Sequence, residues 1–499
     1  MAKIVRRIIQ WSIFLIFISG FLPVAEIWKE NISSTIPKIQ FFPVIQRLSI
    51  VAVIIMAVTF LFGRIYCSSI CPLATIQDIF TGRKRTFFFR RLGVLKRYMF
   101  PAAAVIFLLL GMPAIASILD PYSVSGRIVS TVNELIIIPL IDLAGLILRF
   151  FSVYITTYPI QFRWITITIS ILSLAVIVIM TRIGGRLFCN TLCPVGAILS
   201  IPARWAVLTN RIHRGKCTSC GACEKVCKAE AIDSASKIID TSKCVSCFNC
   251  NEVCNFDALK YRTAIISKTA GRTGRREFIK KSVLGSLLII GAPVLAKTAN
   301  LSQEVEIDSS AAVPPGAGGR AAFLSKCTAC SLCISRCPGN VLQPASFRQY
   351  GLTSPGVPYM NFNRGSCDFK CNLCSNLCPS GAIRPLELEI KQQVKIGESR
   401  FVREYCVVET DGTSCGACGE ICPSGAIDME YLSEGADGAL EIPVIDKTYC
   451  IGCGACQFVC PVLEKNAIFV EALAEHGKAE IHEDSPDAKP EEVDNDFAF

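Results

Sequence analysis

Histidine is almost missing: His213, His476 and His482 are the three in 499 residues, and none lies in an apolar run. That scarcity excludes haem held in a membrane between paired axial histidines. The lack of any C-x-x-C-H run excludes covalently attached haem. No glycine-rich loop follows a strand pattern, so a nucleotide- or flavin-binding domain has no support. Acidic residues are fewer than basic ones, 41 against 51, for a net charge of +10. The basic excess sits in loops between apolar helices and before residue 282. Loops of that kind stay on the cytoplasmic side of a membrane, so the charge marks topology, and nucleic acid is not an expected partner.

Apolar residues are abundant at 51%, and they crowd into the first 200 positions while most of the 28 cysteines lie beyond. Four stretches, near 8–28, 45–63, 98–119 and 164–183, each approach the roughly 20 apolar residues that cross a hydrocarbon core of about 30 Å. A fifth, near 132–151, carries Glu134, Pro139 and Asp142. The basic segments 64–97 and 182–216 should both be cytoplasmic, so the fifth stretch is expected to lie as an outer-face interfacial or re-entrant helix. Acids near a membrane are costly and tend to be functional, which makes Glu134 and Asp142 candidate proton acceptors.

Twenty-eight is an even count, yet a disulfide framework fits poorly. Cysteines at i, i+3, i+6 and i+10 crowd four thiols where disulfide geometry is hard to satisfy repeatedly. Thiolates around an iron-sulfur cubane meet the spacing easily. CTSCGACEKVC at 217 and CVSCFNCNEVC at 244 each supply three cysteines plus a fourth that reaches the partner cluster. On that rule Cys217, Cys220, Cys223 and Cys254 hold one [4Fe-4S] cluster, and Cys244, Cys247, Cys250 and Cys227 hold another. Lys228 and Asn255 stand where a proline commonly follows the fourth cysteine. A zinc ribbon would need only two cysteines per knuckle.

Four further blocks end in Cys-Pro. They are Cys327, Cys330, Cys333, Cys337; Cys367, Cys371, Cys374, Cys378; Cys406, Cys415, Cys418, Cys422; and Cys450, Cys453, Cys456, Cys460. Sixteen ligands imply four more clusters, six in all. The gaps between blocks are nearly equal, so spacing leaves open whether neighbouring blocks or nested ones exchange their fourth cysteine. The remaining pairs, Cys67 and Cys71 in YCSSICP and Cys189 and Cys193 in FCNTLCP, follow the cytoplasmic ends of two apolar stretches. They could pack as small apolar residues or act as a dithiol. The favoured reading is that they meet to hold a seventh cluster at the membrane face.

Arg275 and Arg276, followed by Phe278, Ile279, Lys280 and a short apolar run, look like a twin-arginine export signal, with a basic helix end before a short anchor as the alternative.

The first 260 residues, with four apolar stretches, two C-x-x-x-C-P motifs and a two-cluster unit, resemble the NapH-type membrane quinol dehydrogenase components. The remainder, with its twin-arginine segment and four cluster motifs, is similar to the exported NapG-type ferredoxin proteins; the MauN and MauM pair resembles the chain too. The likeness implies an α-helical membrane domain with four spans and a short signal or anchor helix, joined to α+β bacterial ferredoxin-like 4Fe-4S domains. The expected divisions are a membrane domain at 1–205, a cytoplasmic two-cluster domain at 206–265, and a signal or anchor helix at 266–296. A flexible linker at 297–322, a periplasmic four-cluster domain at 323–473 and an acidic disordered tail at 474–499 follow. It further implies nested exchange among the four C-terminal blocks, and a flow of electrons from quinol, menaquinol by preference, to a periplasmic reductase or cytochrome. A cluster-bearing assembly factor for another redox enzyme is the alternative function.

Overall fold

The computed structural model describes residues 2–21, 50–81, 94–109, 113–149, 164–263, 311–351, 355–431, 440–462 and 466–481. The twin-arginine segment and His482 lie outside the described residues. The chain divides into two compact units, residues 1–304 with 328–330, and residues 305–327 with 331–499.

In the first unit the long helices are Ala2–Ser19, Ile50–Phe62, Val94–Leu109, Pro121–Val132 continuing through Ile138–Arg149, and Trp164–Gly184. Their interior mixes apolar side chains such as Phe17, Val124 and Ile177 with small polar ones, while large apolar residues also face outward. Thr59, Ser170 and Thr181 are buried, whereas Ile50 is 75% exposed, Leu172 66% and Leu143 58%. Small polar groups face inward, where they bond: Thr131 donates to Ser170 Oγ at 2.9 Å, and Ser170 donates to the Arg127 carbonyl at 3.0 Å. Apolar surface on that scale, facing outward, is compatible with a hydrocarbon surround.

Among the described residues two helices, Pro121–Gly145 and Thr166–Gly184, are long and apolar enough to cross a membrane by length and composition. Four were expected. The second matches the stretch expected at 164–183. The first takes in most of the stretch near 132–151, expected as an outer-face interfacial or re-entrant helix, and extends it toward the N-terminus. Asp120 caps a helix that starts a full eleven residues earlier, its carboxylate accepting from Ser123 N at 2.8 Å with Pro121 at the first turn. Serines and threonines that face inward hid this part from an apolar scan. Pro139 does not end the helix, because a π turn at Asn133–Ile137 precedes it and absorbs the disrupted hydrogen-bond pattern.

A small ferredoxin-like unit closes the first body. Leu208–Ile212 pairs antiparallel with Leu259–Thr263, and Ile232–Asp233 with Ile238–Ile239. It sits on the helices: Gly185, at φ +55°, would place a Cβ 2.4 Å from the Lys228 carbonyl oxygen, so only glycine permits the contact. Arg186 N donates to that same carbonyl at 2.7 Å, and Tyr261 donates to the Phe62 carbonyl at 2.9 Å.

The second unit is built from short antiparallel pairs: Leu342–Pro344 with Pro358–Met360, Ile427–Tyr431 with Glu441–Ile445, and Val394–Phe401 with Ile468–Lys478. Four helical turns, Leu332–Ser335, Leu373–Leu377, Ala417–Glu420 and Ala455–Val459, carry central cysteines of the blocks. Two expected boundaries are corrected. The flexible linker does not extend through 311–322: Ala311, Ala312 and Val313 are buried and Ala312 bridges Met360, because small residues allow this Pro- and Gly-rich run to pack as extended chain. The disordered tail does not begin at 474, since the last strand runs to Lys478 and Ala479, 1% exposed, donates to the Gln393 carbonyl.

Candidate iron-sulfur sites

The loop from Cys217 turns through left-handed residues, Ser219 at φ 58° and Gly221 at φ 72°, and the loop from Cys244 repeats the path at Ser246 and Phe248. Such turns aim successive sulfurs into one space. Cys217, Cys220, Cys223 and Cys254 line one cavity; Cys227, Cys244, Cys247 and Cys250 line the other. The exchange of fourth cysteines is the one expected from spacing. Ala231 N donates to Cys227 Sγ and Ala258 N to Cys254 Sγ, each at 3.3 Å, as Ala426 N does to Cys422 Sγ in a block that keeps its proline. The missing prolines after Cys227 and Cys254 therefore cost no amide-to-sulfur bond.

The second unit settles what equal gaps left open. Cys406, Cys415 and Cys418 line a cavity with Cys460, while Cys422 lines another with Cys450, Cys453 and Cys456. Cys337 lies close enough to Cys367 and Cys374 to act on both electrostatically, and packs with them and Cys333 against one apolar cluster. Neighbouring blocks exchange, and the nested arrangement is corrected. The two pairs abut: Cys367 N donates to the Cys453 carbonyl at 2.9 Å, and both cysteines join one cluster with Phe369, Ile451 and Ala455.

The two C-x-x-x-C-P motifs come together as well. Both pairs are buried, and the Cys71, Cys189 and Cys193 thiols are pushed up first by burial and then by one another and Cys67, with Arg186 and Arg64 opposing the rise at Cys189. Cys71 and Cys193 are helix N-caps, each followed by proline, so Pro72–Phe80 and Pro194–Ala203 point away from the site in related ways.

Do these cavities fit a cubane? Among the described residues no three His, Cys, Asp or Glu side chains converge as a single ion requires. Zinc, with Zn–S near about 2.3 Å, would need them to. The cysteines instead stand around cavities with largely apolar walls, as a multi-iron group demands. Bare, the thiols would stay protonated: burial lifts Cys227 to about 12 and Cys418 to about 11. Iron, which binds thiolates, supplies the positive charge that such crowding lacks and releases protons on binding.

One part of the site was not anticipated. The motifs are longer than C-x-x-x-C-P, reading GRIYCSSICP at residues 63–72 and GRLFCNTLCP at residues 185–194. Aligning the two motifs would have revealed the Gly-Arg pair. Arg64 and Arg186 are 0% and 1% exposed. Arg186 donates to Gln77 Oε1 at 2.9 Å and to Asp78 Oδ1 at 2.7 Å; Lys228 joins Asp78 at 3.0 Å. Gln77 Oε1 also accepts from Cys189 Sγ at 3.3 Å.

Burial alone would raise the Asp78 carboxyl, but the Arg186 and Lys228 charges override it and hold it at about 2. A depressed carboxylate stabilises the fold above its unfolded pKa near 4 and loses that contribution as pH falls toward about 2; the difference is worth about 2 kcal/mol. Asp78→Asn should thus lower the thermal midpoint by a constant amount between pH 8 and 5, with the gap to the parent closing below pH 4. A gap unchanged at pH 3 would contradict the linkage.

Glu134 is buried within the π turn and Asp142 is half-buried. Eight residues apart on one helix, they are separated by about 12 Å of rise and do not form one site.

A family described as a 4Fe-4S binding domain matches residues 44–92 and 166–212, which bracket both C-x-x-x-C-P motifs. Another 4Fe-4S binding domain matches residues 211–233. A 4Fe-4S dicluster domain matches residues 413–463, which hold seven of the eight cysteines of the last two blocks, Cys406 lying outside. The methylamine utilization ferredoxin-type protein MauM of Methylophilus methylotrophus is 32% identical over 158 residues, 31% of this chain and 68% of that protein. The ferredoxin-type protein NapG of Escherichia coli K12 is 30% identical over 211 residues, 41% of this chain and 87% of its own. MauN of Methylobacillus flagellatus is 27% identical over 240 residues, 44% of this chain and 74% of its own. No solved structure matches.

Proposed function

Because the chain belongs to the family of ferredoxin-type iron-sulfur proteins that includes NapG and MauM, we propose that it is a membrane-held conduit carrying electrons from quinol, menaquinol by preference, to a periplasmic reductase or cytochrome. The observation that carries this reading is the succession of four-cysteine sites beside lipid-compatible helices. In the first unit the buried four-thiol site stands against the two-cluster unit, with Arg64 donating across to the Ser242 carbonyl at 3.1 Å. In the second, the Cys367 and Cys453 sites meet through a backbone hydrogen bond. Bound clusters supply one-electron transfer at potentials set by net charge, hydrogen bonds to sulfur and exposure.

The protein's own residues do the rest. Each thiolate set holds its group, the apolar walls exclude water, and amide donors to sulfur fix charge at defined atoms. Since Cys67 and Cys189 share one site, the chain between them crosses the membrane an even number of times. Together with the basic segments 64–97 and 182–216 that flank the site, this favours a cytoplasmic N-terminus and two-cluster unit, with one of the intervening helices not crossing. The twin-arginine segment supports a periplasmic second unit.

The test is anaerobic mixing of the purified chain with a reduced menaquinone analogue, followed through the visible iron-sulfur absorbance. Bleaching in repeated turnovers with an electron acceptor supports the conduit. Need for the chain only while a partner enzyme is being assembled, with no turnover, would favour the assembly-factor reading. Glu134→Gln with Asp142→Asn is expected to slow quinol oxidation at least tenfold; an unchanged rate removes both residues from proton transfer.

A further inference from the structure

The Gly-Arg repeat is symmetric in sequence and asymmetric in charge. Arg186 is answered by the Asp78 carboxylate at 2.7 Å. Arg64, its counterpart, donates to Asn190 Oδ1 at 2.7 Å, to the Ser242 carbonyl at 3.1 Å and to the Cys189 carbonyl at 3.2 Å, and lies 3.9 Å from Cys67 Sγ. These oxygens carry no net charge. The second unit repeats the device with Lys391, 1% exposed, which donates to the main-chain oxygens of Asp368 and Phe369, the two residues that follow Cys367.

Taking a cation out of water is heavily unfavourable unless an anion answers it. The groups able to do so beside Arg64 and Lys391 are cysteine sulfurs held as thiolates. A cluster bound by four thiolates is a net anion, and reduction adds one further electron without requiring a proton. A fixed cation at the sulfur therefore stabilises the reduced form more than the oxidised form.

We propose that Arg64 and Lys391 are buried counter-ions that raise the reduction potentials of the groups held by Cys67, Cys71, Cys189 and Cys193 and by Cys337, Cys367, Cys371 and Cys374. They are positioning residues, acting through the ligand sulfurs. Arg64 does so from a place where it also touches Ser242, two residues before Cys244. Asp78 is the opposing element, since it consumes the charge of Arg186 beside Cys189.

The inference rests on these cysteines holding clusters, and iron content tests that separately. If the parent chain carries iron for fewer clusters than its cysteine sets and Cys67→Ser with Cys189→Ser removes none, the cluster reading of that site fails by itself. Given full iron, potentiometric titration followed by electron paramagnetic resonance decides the rest. Arg64→Gln and Lys391→Gln should each lower one midpoint by at least a tenfold bias, 59 mV for one electron. Arg64→Lys should restore most of the shift, and Asp78→Asn should move the same midpoint upward. Unchanged midpoints at full iron overturn the proposal. Should Arg64→Gln lose its cluster altogether, Asp78→Asn decides, an upward shift supporting the counter-ion role and no shift overturning it.

Discussion

Replacing Cys67 and Cys189 together by serine should remove about four iron atoms from a total of about 28 per chain, leaving the other clusters in place. Each C-x-x-x-C-P motif contributes two of the four buried thiols, so the double variant takes one ligand from each half and leaves two. Two thiolates and two neutral hydroxyls do not hold a cubane. The loss also strips Arg64 of the anion beside it, and a buried cation left unanswered costs about 3–5 kcal/mol. A thermal midpoint lower by several degrees should accompany the iron loss. Iron analysis with visible spectroscopy checks the first result; undiminished iron would return these cysteines to packing or dithiol chemistry.

Double substitutions in the second unit should show which fourth cysteine serves which cluster. Cys460 lines the cavity of Cys406, Cys415 and Cys418, so Cys460→Ser combined with Cys406→Ser is expected to lose about four iron atoms, no more than either single change. Cys460→Ser combined with Cys327→Ser should lose about eight, because two separate clusters are struck. Nested exchange would reverse the two outcomes. The distinction matters for the order of electron passage. With neighbouring exchange the Cys367 and Cys453 sites meet within the unit.

The cysteine runs were legible from the chain because their spacing is local. Three thiols at two-residue gaps cannot avoid facing one point, and the exchange between residues 217 and 254 follows from having two such runs and no others nearby. The reach of the helix from Pro121 was less legible: its inward serines and threonines satisfy one another across to Ser170, so the segment does not read as apolar although its outer face is. The run at 311–320 misled in the opposite sense, since Pro and Gly there serve close packing against Met360.

Equal spacing made the pairing of the four C-terminal blocks undecidable from the chain alone: 30 residues separate Cys337 from Cys367, 28 separate Cys378 from Cys406, and 28 separate Cys422 from Cys450. What decided it was the pairing of Val394–Phe401 with Ile468–Lys478, which brings the last block back beside the third. Arg64 is the same lesson at one residue. Its partner Ser242 is 178 positions away, and the difference from Arg186 lies in where Asp78 falls after folding. By itself the sequence determined which cysteines fall together in closely spaced runs, since that depends on spacing within a turn or two. Which sets touch, and which buried charge faces a sulfur without a carboxylate to balance it, depended on contacts between distant segments, and only the tertiary structure decides those.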